Sequence, residues 1–306
     1  MCACRYAASM NARSWQKLRE DAAWARMAQH FVARVTGEKP LAFLDATLTQ
    51  DLGELARGEA RLACLLDDKG HVLAELRVIA LDEQTVLLDG EIGASEATMS
   101  WLARVAPLSG CEVQDVSDEW HVFAVRGPRA RAAVSSNGEI PERNLSWIAI
   151  GESIAIHLAR GSGGVDVLSK DTPQFSCDEV SPSDIDVLRI ADGLPRFGVD
   201  VTKDLILNET PLIDTAVSFT KGCYPGQETV AKIRNLGKPR RAVAGFQTDE
   251  LVPRGAALSD DTKEIGTVTS IAATPDGVFG IAVVRAEALD AAGVTVSGQA
   301  VRLRRL

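Results

Sequence analysis

The segment 217-VSFTKGCYPGQE-228 combines a cysteine, a lysine and two glycines in a short run. Alternation predicts a strand over residues 216–220, and TVAKIRN at 229–235 predicts a helix. The residues between them are therefore predicted to form a turn from strand to helix. Gly222 and Gly226 give this turn backbone freedom and allow a ligand to approach closely.

Cys223 occupies a position that favours the thiolate form of its side chain. It lies just ahead of the predicted helix N-terminus and two residues after Lys221, and both features stabilise a negative charge. Two other interpretations remain open at this stage. Cys223 can be a small apolar residue that fills the turn, or a nucleophile with a histidine base, although no motif joins it to any of the four histidines.

The same region of the chain is strongly basic. Between Lys221 and Arg241 the only acidic residue is Glu228, and the six basic residues are Lys221, Lys232, Arg234, Lys238, Arg240 and Arg241. This local charge of +5 contrasts with a net charge of −9 for the whole chain. It suits an anionic ligand tail or an acidic partner, and a solvated helix face remains the open alternative.

Composition excludes several classes of protein. The 306 residues carry a net charge of −9 and only 5% aromatic residues, so we expect no broad nucleic-acid surface and no direct DNA binding. No apolar run is long enough to span a membrane, and the N-terminus lacks the apolar core of a signal peptide, so we expect a cytoplasmic protein. The six cysteines form no C-x-x-C pair and so give no local metal-binding motif.

Periodicity predicts several structural units. We predict helices over 15–31, 94–106 and 181–193, the last with a capping residue at its start and Gly193 after its end. Strands fill much of the remaining sequence between residues 30 and 235, in two successive α+β units.

Helical patterns fade after Gly237, where short strands and turns follow one another. This spacing predicts a small antiparallel barrel or sandwich, with a domain boundary near 236–240.

The turn sequence resembles a family signature. KGCYPGQE is similar to the K-G-C-[YF]-x-G-Q-E motif of the YgfZ family of folate-binding proteins, which is related to the T-protein (aminomethyltransferase) of the glycine cleavage system. The resemblance extends over about residues 30–290, and its other segments are FLDATLTQDL (43–52), DDKGHVLAEL (67–76), RIADGLPRFGVD (189–200) and IGTVTS (265–270).

The resemblance implies a fold, a cofactor and a role. The fold is α+β, with two ferredoxin-like halves over residues 30–236, split near 115–120, and a C-terminal antiparallel β-barrel over 237–306; residues 1–29 form an N-terminal extension. The cofactor is tetrahydrofolate or a one-carbon derivative of it. The role is assembly or repair of iron–sulfur clusters, so the partners are client or assembly proteins, including enzymes that modify tRNA.

The resemblance also assigns residues. Cys223 is the family's functional cysteine, with Lys221 beside it. The folate contacts that it implies are Gly222, Tyr224, Gly226, Gln227, Glu228, Arg189, Asp192 and Glu209. Arg189 can instead form a structural pair with Asp200.

Two departures separate this chain from aminomethyltransferases. Their paired aspartates, of which we take the first as the working one, correspond to Ala74 and Glu75. Their pterin-binding glutamate corresponds to Ala191, and Asp192 one residue further on is rotated by about 100° around the helix. Both departures argue against glycine cleavage, although a folate-dependent one-carbon transferase remains the alternative to a non-catalytic accessory protein.

Overall fold

The computed structural model describes residues 8–135, 140–260 and 263–306. Residues 1–7 of the expected N-terminal extension, with Cys2 and Cys4, lie outside the described residues. The described strands, numbered along the chain, are β1 (Ala8–Ser9), β2 (Ala23–Met27), β3 (His30–Gly37), β4 (Ala60–Leu66), β5 (Val72–Ala80), β6 (Thr85–Glu91), β7 (Cys111–Asp115), β8 (His121–Arg126), β9 (Trp147–Ile150), β10 (Ser153–Leu158), β11 (Gly164–Ser169), β12 (Asp178–Glu179), β13 (Arg241–Thr248), β14 (Ala257–Ser259), β15 (Glu264–Thr274), β16 (Gly277–Arg285), β17 (Thr295–Val296), β18 (Gln299–Ala300) and β19 (Arg304–Arg305).

Helices connect these strands and cover the sheets. They are α1 (Ala12–Glu20), α2 (Pro40–Thr47), α3 (Ser95–Val105), α4 (Ala130–Val134), α5 (Pro182–Ala191), α6 (Leu212–Thr215) and α7 (Gln227–Leu236). The helices predicted over 94–106 and 181–193 are confirmed. Ser181 caps α5 through a reciprocal pair of hydrogen bonds with Asp184.

Two local predictions are wrong. The helix predicted over 15–31 ends at Glu20, because residues 23–27 pair with β8 and bury Ala23 and Ala25 completely. Residues 216–220 form no strand. Their backbone bonds instead to Thr49, which donates to the Ala216 carbonyl and accepts from the Ser218 amide.

The first half is a five-stranded sheet in the order β4-β5-β6-β3-β7. All neighbouring strands are antiparallel. This sheet contains a ferredoxin-like βαββαβ unit, whose strands are β3, β5, β6 and β7 and whose helices are α2 and α3. The additional strand β4 extends one edge of the sheet, beside β5.

The second half repeats this arrangement in a six-stranded sheet, β12-β2-β8-β11-β10-β9. The first, second and third strands of its ferredoxin-like unit are β8, β10 and β11. Strand β9 extends the sheet beside β10, as β4 does beside β5 in the first half. The fourth position is occupied by β2, which precedes the first half in sequence. Pairing of β2 with β8 therefore ties the N-terminal segment into the second half.

The C-terminal strands β13–β19 form a curled antiparallel half-barrel, and β1 joins it in parallel beside β15. Helix α5 contacts β15 and β16, so this sheet packs against the second half. The expected α+β class, with two ferredoxin-like halves and a C-terminal barrel, is confirmed.

Candidate functional site

A cavity of about 290 Å³ lies between the two halves and α5. Its volume is close to the lower end of the range for small-molecule sites. Apolar residues of both halves and of the segments that follow α5 line it, among them Met27, Leu62, Val122, Leu158, Phe197 and Leu212.

A buried network of charges forms one wall of this cavity and joins the two sheets. Arg77 of β5 donates to Asp166 of β11 at 2.7 Å and also pairs with Asp89 of β6. Arg126 of β8 donates to the other oxygen of Asp166 at 2.7 Å. Burial opposes charge on Asp166, but the two arginines outweigh it and lower the pKa of that carboxyl.

The network has one unsatisfied donor and one titratable member. The Nε atom of Arg77 is buried and has no hydrogen-bond partner among the described residues. His30 Nδ1 lies 2.9 Å from Asp89. Burial lowers the pKa of His30, but the Asp89 carboxylate outweighs burial and raises it. A buried donor without a partner indicates that a ligand or water oxygen belongs beside it.

Glu75 brings an unpaired carboxylate into the same cavity. It lines the cavity wall and makes no hydrogen bond or ion pair within the part of the chain that the structure describes. Burial raises its pKa to about 7, Arg160 opposes this rise, and the neighbouring Glu91 adds to it. Since alternate residues of a strand face opposite sides, Ala74 is fully buried in the core. The residue that faces the cavity is thus Glu75, at the position of the second aspartate of the aminomethyltransferases. This corrects our choice of the first aspartate, here Ala74, as the working one.

Helix α5 contributes the two cavity residues that the sequence predicted. Arg189 donates to Asp200 at 2.6 Å and to Ser270 of β15 at 3.0 Å, so the expected structural pair is present. Asp192 accepts hydrogen bonds from the backbone and hydroxyl of Ser162, at 2.7 and 2.9 Å. Both side chains line the cavity while engaged in contacts that hold its wall.

The rim of the cavity carries polar residues that are open to solvent. Arg160 and Asn144 are both exposed. Arg160 makes no ion pair in the ranges that the structure covers, and none of the six basic residues between positions 221 and 241 lines the cavity. A guanidinium that is not held in an ion pair at the rim can receive the anionic part of a ligand, although Arg160 also interacts electrostatically with Glu75.

Lys221 anchors the motif turn to the end of α2. Its side chain is only 2% exposed and forms an ion pair with Asp45 at 3.2 Å. Its ammonium donates to the carbonyl oxygens of Leu48 and Gln50, at 2.9 and 3.0 Å, and to that of Asp45. These carbonyls lie at and just beyond the helix C-terminus, where a cation is favourable. Burial lowers the pKa of Lys221, although Asp45 opposes this.

Cys223 follows this anchor and is exposed. Gly222 is also exposed and has open space around its Cα, whereas Tyr224 is buried, with a pKa that burial raises to about 12. Since Cys223 faces solvent, the interpretation of it as a buried filler is wrong. It makes no hydrogen bond to a histidine in the described ranges, and it does not line the cavity.

The turn ends at Gly226, which begins α7 with a left-handed φ of 79°. A Cβ at this position would lie 2.5 Å from the carbonyl oxygen of Asp67 and 3.2 Å from Gly70. This close approach requires glycine. Gln227 and Glu228 form the first turn of α7 and, like Gly226, lie outside the cavity lining.

Glu209 has a structural environment. It is buried and accepts bonds from the Arg241 side chain, the shortest at 2.8 Å, and from the Arg241 and Ile206 amides. It thereby fixes the start of the barrel to the segment that precedes α6. A folate contact at Glu209 stays a prediction.

Sequence reasoning missed the charge network. Arg77, Asp89 and Asp166 each interrupt a strand whose neighbours are buried and apolar. A lone charge in such a strand is the signal that would have found them, because charges are rarely buried unless they are paired. The Arg77–Asp166 pair joins strands of different sheets, so it could not be read from the sequence.

Two kinds of feature are absent from the described residues. No helix within 8–135, 140–260 and 263–306 is long and apolar enough to cross a membrane. In the same ranges, no group of three or more histidine, cysteine, aspartate or glutamate side chains is arranged to hold a metal ion.

Comparison with known proteins agrees with this architecture. Residues 4–158 match the GCVT N-terminal domain, and residues 221–306 match the CAF17 C-terminal beta-barrel domain. The glycine cleavage system aminomethyltransferase T from Bartonella henselae superposes with a TM-score of 0.84 at 22% identity, covering 96% of this chain and 88% of that one.

Curated relatives come from two functional groups. An aminomethyltransferase of Staphylococcus carnosus is 24% identical over 271 residues, which are 81% of this chain and 74% of the relative. The tRNA-modifying protein YgfZ of Colwellia psychrerythraea is 22% identical over 261 residues, 79% of each chain. The fold is that of the aminomethyltransferase-like, folate-binding class. Within that class, the N-terminal and barrel matches together place the chain in the YgfZ/CAF17 family, to which it belongs.

Proposed function

We propose that this protein binds a tetrahydrofolate in the central cavity and acts as an accessory factor for the assembly or repair of iron–sulfur clusters. The observation that carries the proposal is the separation of its two chemical features. The cavity contains no motif residue from 221–228, while Cys223 is exposed on a turn that Lys221 and Gly226 hold rigidly. A thiol presented outward acts on a partner protein, not on a ligand in the cavity.

The cavity residues fit a reduced folate. The pyrimidine edge of a pterin presents N–H donors, and Glu75 supplies an acceptor carboxyl that makes no hydrogen bond to any described residue. The unsatisfied Arg77 Nε–H suits an acceptor oxygen of the ring. The glutamate tail carries negative charge, which the exposed Arg160 can bind at the rim. Folate bound here stabilises the junction of the two halves, since the cavity is lined by both.

A second function, folate-dependent one-carbon transfer, is favoured by one observation. Glu75 keeps a carboxylate on the cavity side of β5 and carries a pKa raised to about 7. A carboxyl that changes charge near neutral pH can accept or donate a proton at a bound amine. This candidate therefore assigns proton transfer to Glu75 and gives Cys223 no part in the reaction.

One complementation experiment tests the first proposal. A deletion strain of the source organism receives the wild type, Cys223→Ala or Cys177→Ala at matched protein levels. The product of one cluster-dependent tRNA-modifying enzyme is then measured under oxidative stress. We expect the wild type and Cys177→Ala, a half-buried cysteine outside the motif, to restore the product and Cys223→Ala to fail.

Equal restoration by all three proteins contradicts a role for the thiol. In that case, tetrahydrofolate-dependent release of ammonia from a small S-aminomethyl thiol, whose carbon is already at the oxidation level of formaldehyde, is measured with the wild type and Glu75→Gln. Loss of release in Glu75→Gln alone supports the one-carbon transferase. Titration calorimetry with tetrahydrofolate tests the cavity itself, and absence of binding to the wild type rejects both candidates.

A further inference from the structure

A second concave surface lies outside the folate cavity, between the end of α7 and the start of β13. Its volume is about 400 Å³. The residues that define this α7–β13 groove are Ile206, Glu209, Ile233, Lys238, Pro239, Arg240 and Arg241. None of them lines the central cavity, so the groove is a separate site.

The groove carries positive charge that the protein does not neutralise. Glu209, its one acidic residue, is already paired with Arg241. Lys238 and Arg240 are exposed, and neither makes an ion pair within residues 8–135, 140–260 and 263–306. Lys232 on the preceding turn is also exposed and unpaired in those ranges. On a protein whose net charge is −9, such a patch attracts an acidic partner selectively.

Apolar groups accompany this charge. Leu236, the last residue of α7, is 84% exposed next to the groove. Ile206, Ile233 and Pro239 contribute apolar surface inside it. An exposed apolar residue rimmed by unpaired basic side chains is the arrangement of a protein-binding surface.

We infer that the α7–β13 groove docks an acidic protein segment that inserts an apolar side chain between its carboxylates. The inference rests on the proposed function and names the chemistry of the partner. Helix α7 has ten residues and is therefore about 15 Å long, with Cys223 just before its N-terminus. A partner held at the groove thus lies within reach of the thiol.

Nucleic acid fits the groove less well. Leu236 offers no stacking face, and the ring of Phe219 nearby is covered by the Arg234 guanidinium at 3.4 Å from its centroid. Single-stranded nucleic acid binds through exposed aromatic faces along a basic track. The groove supplies the charge without the stacking surface.

Fluorescence anisotropy of the full-length protein tests the inference. The probe is a short fluorescein-labelled peptide that alternates glutamate pairs with single leucines, and polyuridine RNA is the comparison. We expect Lys238→Glu/Arg240→Glu to weaken peptide binding by about tenfold or more, and Leu236→Ser by about tenfold. Two matched controls, Arg254→Glu/Arg302→Glu and Leu108→Ser, alter exposed residues elsewhere and should bind as the wild type does; Leu108 is 86% exposed.

Each outcome decides the inference. The inference is supported if the groove variants lose peptide binding while both control variants retain it. Weaker binding of a peptide that carries glutamine in place of glutamate also supports it. Equal binding by all variants, or no peptide binding to the wild type, overturns it. Tighter binding of polyuridine that the same variants abolish overturns it in favour of nucleic acid. Tetrahydrofolate binding is measured in parallel, and its absence from the wild type rejects the proposed function without touching the peptide result.

Discussion

Replacement of Lys221 by methionine separates a structural role of this motif lysine from a chemical one. Methionine keeps most of the apolar stem, so packing changes little, but it removes the ammonium. Three backbone carbonyls at the end of α2 then lose their donor, and Asp45 loses its ion pair.

The magnitude follows from burial, because the Lys221 side chain is only 2% exposed. A hydrogen bond to a charged group contributes about 1.5–3 kcal/mol, and removal of one partner of a buried pair costs about 3–5 kcal/mol. These effects overlap, so we expect Lys221→Met to lower the free energy of unfolding by about 3–5 kcal/mol. Cys223→Ala, on the exposed side of the same turn, should change it by less than about 0.5 kcal/mol.

Urea unfolding followed by circular dichroism measures both variants, and amide hydrogen exchange reports on α2 and the residues after it. Faster exchange there in Lys221→Met would locate the damage at the predicted contact. The reasoning is refuted if Lys221→Met unfolds within about 0.5 kcal/mol of the wild type. Loss of complementation by such a stable variant would then assign Lys221 a direct chemical role beside Cys223.

Three further predictions concern the turn, the cavity and the barrel junction. Gly226→Ala should lower the free energy of unfolding by at least about 2 kcal/mol, because the added Cβ would lie 2.5 Å from the Asp67 carbonyl oxygen. A Cβ added at Gly222 would have no atom within 4 Å, so Gly222→Ala should leave the free energy of unfolding nearly unchanged in the same urea assay. Glu75 has a pKa raised from 4.5 to about 7, so between these pH values the folded protein keeps a proton that the unfolded chain releases, and the free energy of unfolding falls as pH rises. Glu75→Gln should therefore gain stability relative to the wild type from about pH 4.5 to about pH 7 and keep that advantage at higher pH. Identical plots of stability against pH for the two proteins would contradict the burial of this carboxyl. Asp200→Asn should lower the free energy of unfolding by about 3–5 kcal/mol, because the fully buried carboxylate accepts hydrogen bonds from four groups. A thermal unfolding midpoint unchanged from the wild type would show that the barrel junction does not depend on the charge of Asp200.

Local patterns predicted much of the secondary structure and the motif turn. Ser181 and Gly193 mark the two ends of α5 through capping chemistry that involves only neighbouring residues. The helix after Gly226 and the strands of the barrel were likewise predicted from periodicity. These features depend on contacts within a few residues, which a sequence displays directly.

The site was predicted only in part. Arg189 and Asp192 do line the cavity, but Arg77, Asp89 and Asp166 were missed. The first aspartate position of the aminomethyltransferases, here Ala74, was taken as the working one in place of the second, here Glu75. A shift of one position along a strand selects the opposite face, so Ala74 lies in the core and Glu75 lines the cavity.

The sequence by itself determined that the chain forms an α+β fold with a final barrel, and that a cysteine stands in a rigid basic turn. Only the tertiary structure decided that Cys223 faces solvent away from the central cavity, that Lys221 serves as an anchor for α2, and that residues 23–27 complete the second half. The physical reason is the same in each case. Whether a side chain is buried, paired or exposed depends on segments distant in sequence, and the energy of those contacts exceeds local preference.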